Sequence, residues 1–254
     1  MMYRRGIIIV SLSFFLLACA SSQQQKTNRK IAESNVRLGV GYFQQGKVEA
    51  ALEKLKKALK AEPNYPDAHG SIALAYQRLG EHEKSKEHYE IALELQPNKG
   101  VTHNNYATLL CNMGKPLLAE PHFLEAINDR RYRTKAQALG NLGSCLMLIP
   151  DVDKAEKYLR QALQLNPKLP GALLQMVHVA LERKSYMSGR AYLQRYQEVA
   201  KMDPASLVLG IQVESNLGDK NTVIDYETQL RRNFPDSNET RKLMEKEFGK
   251  KQNR

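Results

Sequence analysis

The sequence of 254 residues is 42% hydrophobic and 26% charged, so it can bury a substantial core, and its composition excludes a chain that is disordered throughout. The formal net charge is +11, but lysine and arginine alternate with glutamate along the chain. This pattern is typical of solvated helix faces and favours surface solubility over nucleic-acid binding. No alternating strand pattern or Asn-Gly hairpin signal recurs, so we expect an all-α protein.

The chain begins with the pattern of a secretory signal peptide, which we assign to residues 1–18. Arg4 and Arg5 form a basic start, and an apolar run follows from Gly6 to Leu17. The run is short for a membrane span, whereas its length and its flanks are typical of a cleaved signal.

The end of this segment, Leu16-Leu17-Ala18-Cys19, resembles the lipobox of bacterial lipoproteins. The resemblance implies that Cys19 is acylated and becomes the first residue of the mature chain. Several acyl chains on one residue anchor a protein stably, so we expect attachment to a membrane rather than a span. Ala20 and Ser21 follow in place of aspartate, which in such lipoproteins implies the periplasmic face of the outer membrane. The alternative is an ordinary signal peptide with an incidental cysteine.

The next segment, residues 19–30, is polar and shows no apolar periodicity. This composition predicts a flexible tether between the lipid and the fold.

From residue 31 the chain repeats itself every 34 residues. Small, aromatic and turn residues of the first copy recur at the same displacement: Leu38, Gly39, Tyr42, Gly46, Ala51, Leu55, Ala58 and Pro63 correspond to Ile72, Ala73, Tyr76, Gly80, Ser85, Tyr89, Ala92 and Pro97. The period and the pattern resemble the tetratricopeptide repeat, a pair of antiparallel helices that stacks on its neighbours. We therefore expect an all-α fold, a right-handed superhelix (α-solenoid) of about six repeats near 32–65, 66–99, 100–133, 136–169, 170–203 and 204–237.

Three places depart from the repeat. The third repeat ends in two additional residues, which predicts a longer corner, and Ile149-Pro150-Asp151 replaces the usual glycine turn. Residues 238–254 are charged and end without a cap, and we interpret them as a charged C-terminal tail that forms a frayed terminal helix.

The sequence carries no recognisable catalytic constellation. Its six histidines lack partners at metal-binding or catalytic spacing, and the phosphate-binding and nucleophile motifs are missing. We therefore expect no enzyme activity, no catalytic residue, no metal, no cofactor and no small-molecule substrate.

Two cysteines, Cys111 and Cys145, remain if Cys19 is acylated. They occupy the first helices of consecutive repeats, and helices packed about 8–10 Å apart allow cysteines on facing sides to bond. We predict a disulfide, worth about 3–4 kcal/mol for a loop of about 34 residues. The alternative is two buried thiols that pack as small hydrophobic groups.

The surface lined by the first helices of such repeats commonly receives a peptide. Its positions in this chain predict a small apolar floor with polar neighbours, suited to an amphipathic or extended apolar segment. Some of these side chains could instead pack against the next repeat, and the asparagines could bond their own turns. The predicted partner-binding groove comprises Val36, Val40, Phe43, Gln44, Leu74, Gln77, Arg78, Asn104, Asn105 and Asn141.

Several stretches go beyond the generic repeat, and as an ordered set they resemble the type IV pilus biogenesis and stability lipoproteins of the PilF/PilW family. These stretches are His103–Tyr106, Leu110-Cys111, Tyr132–Thr134 with Ala136–Ala138, Ala191–Tyr196, Ser206–Gly210, and Gln229–Arg232 with Phe234–Ser237. The likeness extends from Cys19 to about Ser237.

The resemblance implies a pilotin, an outer-membrane lipoprotein that binds the type IV pilus secretin and promotes its localisation and multimer assembly, hence pilus biogenesis and twitching motility. Its partners would be the secretin and, through Cys19, membrane lipid. The alternative is a scaffold lipoprotein of another outer-membrane assembly machine, for β-barrel insertion or peptidoglycan synthesis. An envelope enzyme is disfavoured, since no catalytic set is present.

Overall fold

A computed structural model describes the backbone of residues 4–252 and the side chains of residues 23–245. Within that range all regular elements are α-helices, thirteen in number, and no strand is present. The expectation of an all-α fold is confirmed. The chain divides into two compact units, residues 1–113 and 114–254.

The first unit contains two helix pairs and one further helix. Within a pair the two helices pack against each other, and α3 also contacts α1 and α5. The helices are α1 Arg4–Gln44, α2 Val48–Ala61, α3 Pro66–Arg78, α4 His82–Leu95 and α5 Gly100–Asn112.

The second unit contains three helix pairs, α7 with α8, α9 with α10 and α11 with α12, flanked by α6 and α13. The helices are α6 Pro116–Asn128, α7 Lys135–Leu146, α8 Val152–Leu165, α9 Pro170–Glu182, α10 Tyr186–Gln197, α11 Pro204–Leu217, α12 Lys220–Asn233 and α13 Asn238–Gln252.

Local sequence explains where the helices begin and end. Proline opens α3, α6, α9 and α11, where its fixed φ suits the first turn and its missing N–H is not needed. In the first unit the turns after α1 and α3 contain Gly46 and Gly80 with φ of +76° and +77°. Such left-handed backbone favours glycine, so these residues stop the first helix of each pair and reverse the chain.

Each unit has its own apolar core. In the first unit, Leu52 and Leu55 of α2 pack against Ile72 and Ala75 of α3. In the second unit one apolar cluster lies between α7, α8, α9 and α10, and another lies between α9, α10, α11 and α12. This burial of apolar surface between neighbouring helices is the main stabilising contribution in a repeat protein.

The ends of the chain differ from expectation. The predicted tether, residues 19–30, lies within α1, and in its described part the Gln24 amide donates to Asn28 while the Thr27 hydroxyl donates to the Gln23 carbonyl. Glutamine, lysine and arginine have high helix propensity, which favours the helical conformation of these residues. This segment of α1 has no apolar face, so hydrophobic periodicity does not reveal it.

The charged C-terminal tail is helical from Asn238 to Gln252, and part of this helix packs on the fold instead of fraying. Thr240 of α13 is fully buried and its hydroxyl donates to the Phe234 carbonyl at 2.7 Å, while Leu243 packs on the core of the last pair. Helix α13 therefore covers α11 and α12 instead of leaving them exposed.

The two irregular connections have simple explanations. The corner between α6 and α7 spans residues 129–134, two more than the corner at 62–65, as expected. At the turn without glycine, the Asp151 carboxylate accepts a hydrogen bond from the Lys154 N–H at 3.1 Å and so caps α8.

Candidate functional site

The open apolar surface of the first unit is centred on Val40 of α1. This side chain is 37% exposed and lies outside the apolar clusters. Leu74 occupies the same repeat position on α3 and is half-buried, and Val101 at the start of α5 is exposed. Because α3 packs against both α1 and α5, these three side chains lie on neighbouring first helices, and the groove that the sequence predicts there stays a prediction.

Two of the predicted floor residues lie in the core instead. Val36 and Phe43 are only partly exposed and pack against the cluster formed by α2 and α3, and Val36 also packs against the cluster that contains Ala32 and Ala58. Their side chains fill space beside Leu52 and Leu55, as the alternative interpretation of Val36 anticipated. The apolar surface available to a ligand is therefore smaller than predicted.

The polar side chains of the predicted groove also differ from one another. Gln44 and Arg78 are exposed and make no hydrogen bond or ion pair within the described part of the chain, so both are available to a ligand. Gln77 is engaged, because its amide oxygen accepts a hydrogen bond from the Tyr89 hydroxyl at 3.3 Å. Arg78 gives this edge of the floor a positive charge.

The three asparagines do not form one set. Asn104 is buried on α5 and its amide donates to the Asn105 side chain at 3.2 Å. Asn141 lies on α7 in the second unit, where its oxygen accepts a hydrogen bond from the Gln137 amide at 2.8 Å. Local bonding of this kind is the alternative that the sequence left open.

An ion pair and a cation–π contact join residues in or beside the first helices of the first unit. Asp67 at the start of α3 pairs with Lys99, which precedes α5. On α1 the Arg29 guanidinium lies 3.4 Å from Glu33 and 5.5 Å from the centre of the Tyr65 ring. The Asp67–Lys99 and Arg29–Tyr65 contacts join residues in or beside neighbouring first helices, whereas the Arg29–Glu33 pair lies within α1.

Sequence reasoning missed an exposed apolar face at the beginning of the repeats. Ile31 and Leu38 of α1 are 45% and 51% exposed, whereas Tyr65 and Ile72, their equivalents 34 residues later, are 8% and 1% exposed. In the second repeat these positions pack against α2, and the first repeat has no preceding second helix in the described structure. The repeat register was the signal that could have identified this face.

The structure also brings together two histidines that sequence reasoning treated as unpartnered. The Nδ1 atoms of His69 on α3 and His88 on α4 lie 3.0 Å apart, and His69 Nε2 lies 2.9 Å from the Pro63 carbonyl. The two residues are 19 positions apart, so no short motif indicates the contact. Among the described residues no group of three or more possible metal ligands occurs.

The cysteine predictions stay predictions. The Cys19 side chain lies outside the described side chains. Cys111 is half-buried on α5 and Cys145 is buried on α7, and mass spectrometry with and without reductant tests the predicted bond. No described helix has the length and apolar character needed to cross a membrane.

Family models match three parts of the chain. A model described as "TPR repeat" matches residues 39–80, and two described as "Tetratricopeptide repeat" match residues 66–99 and 136–169. Together with the helices of the structure, these matches confirm the predicted all-α tetratricopeptide fold.

Whole-chain similarity is to proteins of type IV pili. The type IV pilus assembly protein PilF of Pseudomonas aeruginosa is 28% identical over 239 residues, which are 92% of this chain and 95% of the relative. A solved structure of Pseudomonas aeruginosa PilF superposes with a TM-score of 0.78 at 28% identity and covers 87% of this chain and 99% of that one. PilW, described as a widely conserved type IV pilus biogenesis factor, superposes with a TM-score of 0.80 at 27% identity, covering 84% and 98%.

Proposed function

We propose, on the premise that this chain is a tetratricopeptide-repeat protein homologous to PilF and PilW, that it is an outer-membrane pilotin that binds the secretin of type IV pili. The observation that carries the proposal is the match to PilF, because it spans 92% of this chain and 95% of the relative. A match confined to single repeats would support the fold alone, whereas this one includes the irregular second unit.

The surface of the first unit supports the binding role. Its floor of Val40, Leu74 and Val101 suits an apolar segment of an unassembled subunit, and covering such a segment prevents its aggregation. Arg78 at the edge attracts an acidic residue of the same segment and orients it. The floor is small, so binding is moderate and the cargo can be released.

In this proposal, acylation of Cys19 localises the protein to the outer membrane. The lipid holds the chain at the outer membrane, and the bound secretin subunit is delivered to the membrane in which it assembles. The lipid anchor and the Val40 surface are both needed in this proposal. Without the anchor the complex with secretin is mislocalised, and without the surface the anchored protein binds no secretin.

Complementation of a strain that lacks this protein tests the two links separately. Cys19→Ser is expected to leave the protein and the secretin multimer outside the outer membrane. Val40→Glu is expected to preserve outer-membrane location but to abolish co-purification with secretin and to reduce the multimer at least tenfold.

Ile91→Glu is the matched control, because Ile91 on α4 has the same 37% exposure as Val40 but lies on a second helix. It is expected to behave as wild type. Normal secretin rings in the Cys19→Ser strain would contradict the role of the anchor. Co-purification from detergent-solubilised membrane with a β-barrel insertion or peptidoglycan-synthesis complex, in place of secretin, would refute the pilotin assignment.

A further inference from the structure

Helix α1 has a face at the beginning of the repeats that the proposed secretin contact does not use. Ile31 and Leu38 are about half exposed there, and the exposed Ser34 lies between them on the same side of the helix. Val40 follows Leu38 by two residues, which is about 200° around a helix. The face defined by Ile31, Ser34 and Leu38, here called the uncovered face, is therefore separate from the Val40 surface.

The second repeat shows what such a face contacts when it is covered. Tyr65, Ala68 and Ile72 occupy the equivalent positions 34 residues later, and all three are buried in clusters that include residues of α2. Among the described residues α1 contacts only α2 and α3, and neither covers the uncovered face. Its two large apolar side chains are therefore available to a partner from outside the chain.

Basic side chains border the uncovered face. The side chains of Lys26, Lys30 and Arg37 are exposed and make no hydrogen bond or ion pair within the described part of the chain. Glu33 is the single acidic residue in the described part of α1, and it already pairs with Arg29. A partner on this face therefore meets an excess of positive charge, and negative charge on the partner is complementary to it.

The bordering side chains favour a lipid surface over a helix as the partner. In the second repeat Asn64 and Ser71 occupy the positions of Lys30 and Arg37, and their short side chains leave room for α2. Long basic side chains at both positions hold an incoming helix away. They suit a bilayer, because their aliphatic stems lie along the interface while their charges reach the lipid phosphates.

The position of the uncovered face along α1 also favours the membrane. Ile31 follows Cys19 by 12 residues, which corresponds to about 18 Å of helix. In the proposed function Cys19 carries the lipid, so the uncovered face is held beside the bilayer at a high effective concentration. A weak contact is then sufficient, and two apolar side chains together with the attraction of basic residues to anionic lipid provide it.

We propose that the uncovered face of α1 docks on the anionic phospholipid surface of the membrane that holds Cys19. Ile31 and Leu38 lie at the boundary between headgroups and acyl chains, and Lys30 and Arg37 pair with lipid phosphates. The contact orients the first repeat relative to the bilayer. This inference rests on the proposed function in one respect, the acylation of Cys19, and does not depend on secretin binding.

A single tryptophan can report the contact, because the sequence contains none. Ser34→Trp places it at the centre of the uncovered face, and Glu87→Trp places it at an exposed position on α4 as the control. Each protein is purified from membranes in detergent, reconstituted in vesicles and collected by flotation. The vesicles contain brominated phosphatidylcholine, which quenches tryptophan fluorescence, with or without about one-quarter phosphatidylglycerol at equal bromine content.

The tryptophan of Ser34→Trp is expected to be quenched at least threefold more strongly than that of Glu87→Trp in the anionic vesicles. Its quenching should fall at least twofold in vesicles without phosphatidylglycerol, because the attraction between Lys30, Arg37 and the lipid is then lost.

Charge reversal in the Ser34→Trp protein tests the basic border directly. Lys30→Glu combined with Arg37→Glu is expected to lower quenching to the level of the Glu87→Trp protein, although the chain still floats with the vesicles. Lys220→Glu combined with Lys242→Glu is the matched control, because it changes the net charge equally at two exposed lysines of the second unit. This control should leave quenching unchanged.

Equal quenching at the two tryptophan positions would overturn the proposal and leave the uncovered face to a protein partner. Equal quenching with and without phosphatidylglycerol, or an equal loss in both charge-reversal variants, would also overturn it. A chain that fails to float would refute the lipid anchor, and with it both this proposal and the anchored part of the proposed function. Secretin is absent from the experiment, so a failure of quenching in floated protein leaves secretin binding unaffected.

Discussion

Gly39 of α1 and Leu55 of α2 are in such close contact that a Cβ atom added at Gly39 would lie 2.7 Å from Leu55 Cγ and 3.2 Å from the Ala51 carbonyl oxygen. The same relationship recurs in the second unit, where a Cβ at Gly143 would lie 2.6 Å from Leu159 Cγ. In both units the absence of a side chain allows the two helices of a pair to approach.

This contact predicts that Gly39→Ala destabilises the protein even though alanine is the better helix former. Overpacking of a core costs about 1–3 kcal/mol and exceeds the gain of up to about 1 kcal/mol in helix propensity. Leu55 is buried and can relax only by moving its neighbours in the core. We expect a net loss of about 1 kcal/mol in urea unfolding.

Gly41→Ala provides the control for this prediction. A Cβ at Gly41 meets no atom within 4 Å, so this variant should gain the propensity and become slightly more stable. If both variants changed stability in the same direction, the close contact would not be the cause.

The contact between His69 and His88 predicts a pH dependence of stability. Burial lowers the pKa of His88 to about 4, and the neighbouring His69 and Lys56 add to the effect. The unfolded chain, with an ordinary histidine pKa of about 6.5, binds more protons than the folded chain between these two values. Stability is therefore full above about pH 6.5 and declines as the pH falls toward 4.

The expected loss is about 1 kcal/mol, since solvent reaches part of the His88 ring and reduces the full effect. Urea unfolding between pH 7.5 and 4.5 measures it. His88→Gln keeps polarity without a charge in this range and should show a smaller decline. A decline as steep as that of wild type would mean that carboxylates elsewhere cause it.

Comparison with the sequence shows which features a repeat period can predict. The period places buried residues well, as with Leu55 and Tyr89, because equivalent positions have equivalent neighbours. It fails where neighbours differ from repeat to repeat. Val36 turns into the core beside Leu52, although Val40 on the same helix is exposed.

The repeat period did not predict the structure at the two ends of the fold. Residues 23–30 are polar on every side, so they give no periodic signal although they form part of α1. Helix α13 looks like a charged tail because only Thr240 and Leu243 among its described residues enter the core. Numbering in repeat positions would have revealed it, since Leu243 follows the buried Leu209 by 34 residues.

The turn between α9 and α10 contains the only non-glycine residue with positive φ in the described chain, Lys184 at +57°. The corresponding turn between α11 and α12 has Gly218 at +79°. A left-handed conformation costs a residue with a Cβ about 1–2 kcal/mol. Lys184→Gly is therefore expected to stabilise the protein by about 0.5–1 kcal/mol in urea unfolding.

Lys184→Ala serves as the control, because it removes the same charge and stem but keeps the Cβ and the strain. It should leave stability nearly unchanged. A gain as large as that of Lys184→Gly would show that loss of the lysine side chain, and not relief of the backbone, is responsible.

The ion pair between Arg190 of α10 and Glu214 of α11 predicts a strongly coupled pair of substitutions. Glu214 is only 2% exposed, and Arg190 Nε lies 2.9 Å and 3.0 Å from its two carboxylate oxygens. Arg190→Met would leave a buried carboxylate without its partner, which is far more costly than the loss of an exposed pair. We expect the melting temperature to fall by about 5–10 °C.

A double-mutant cycle identifies the cause of that fall. Arg190→Met combined with Glu214→Leu should melt several degrees above the value obtained by adding the two single effects, because no unpaired charge remains. Arg160→Met is the control in the same unit, since Glu156 keeps Arg183 as a partner, and it should change the melting temperature by about 1–2 °C at most. Additive effects of the two core substitutions would show that lost packing, and not the stranded carboxylate, destabilises the Arg190→Met protein.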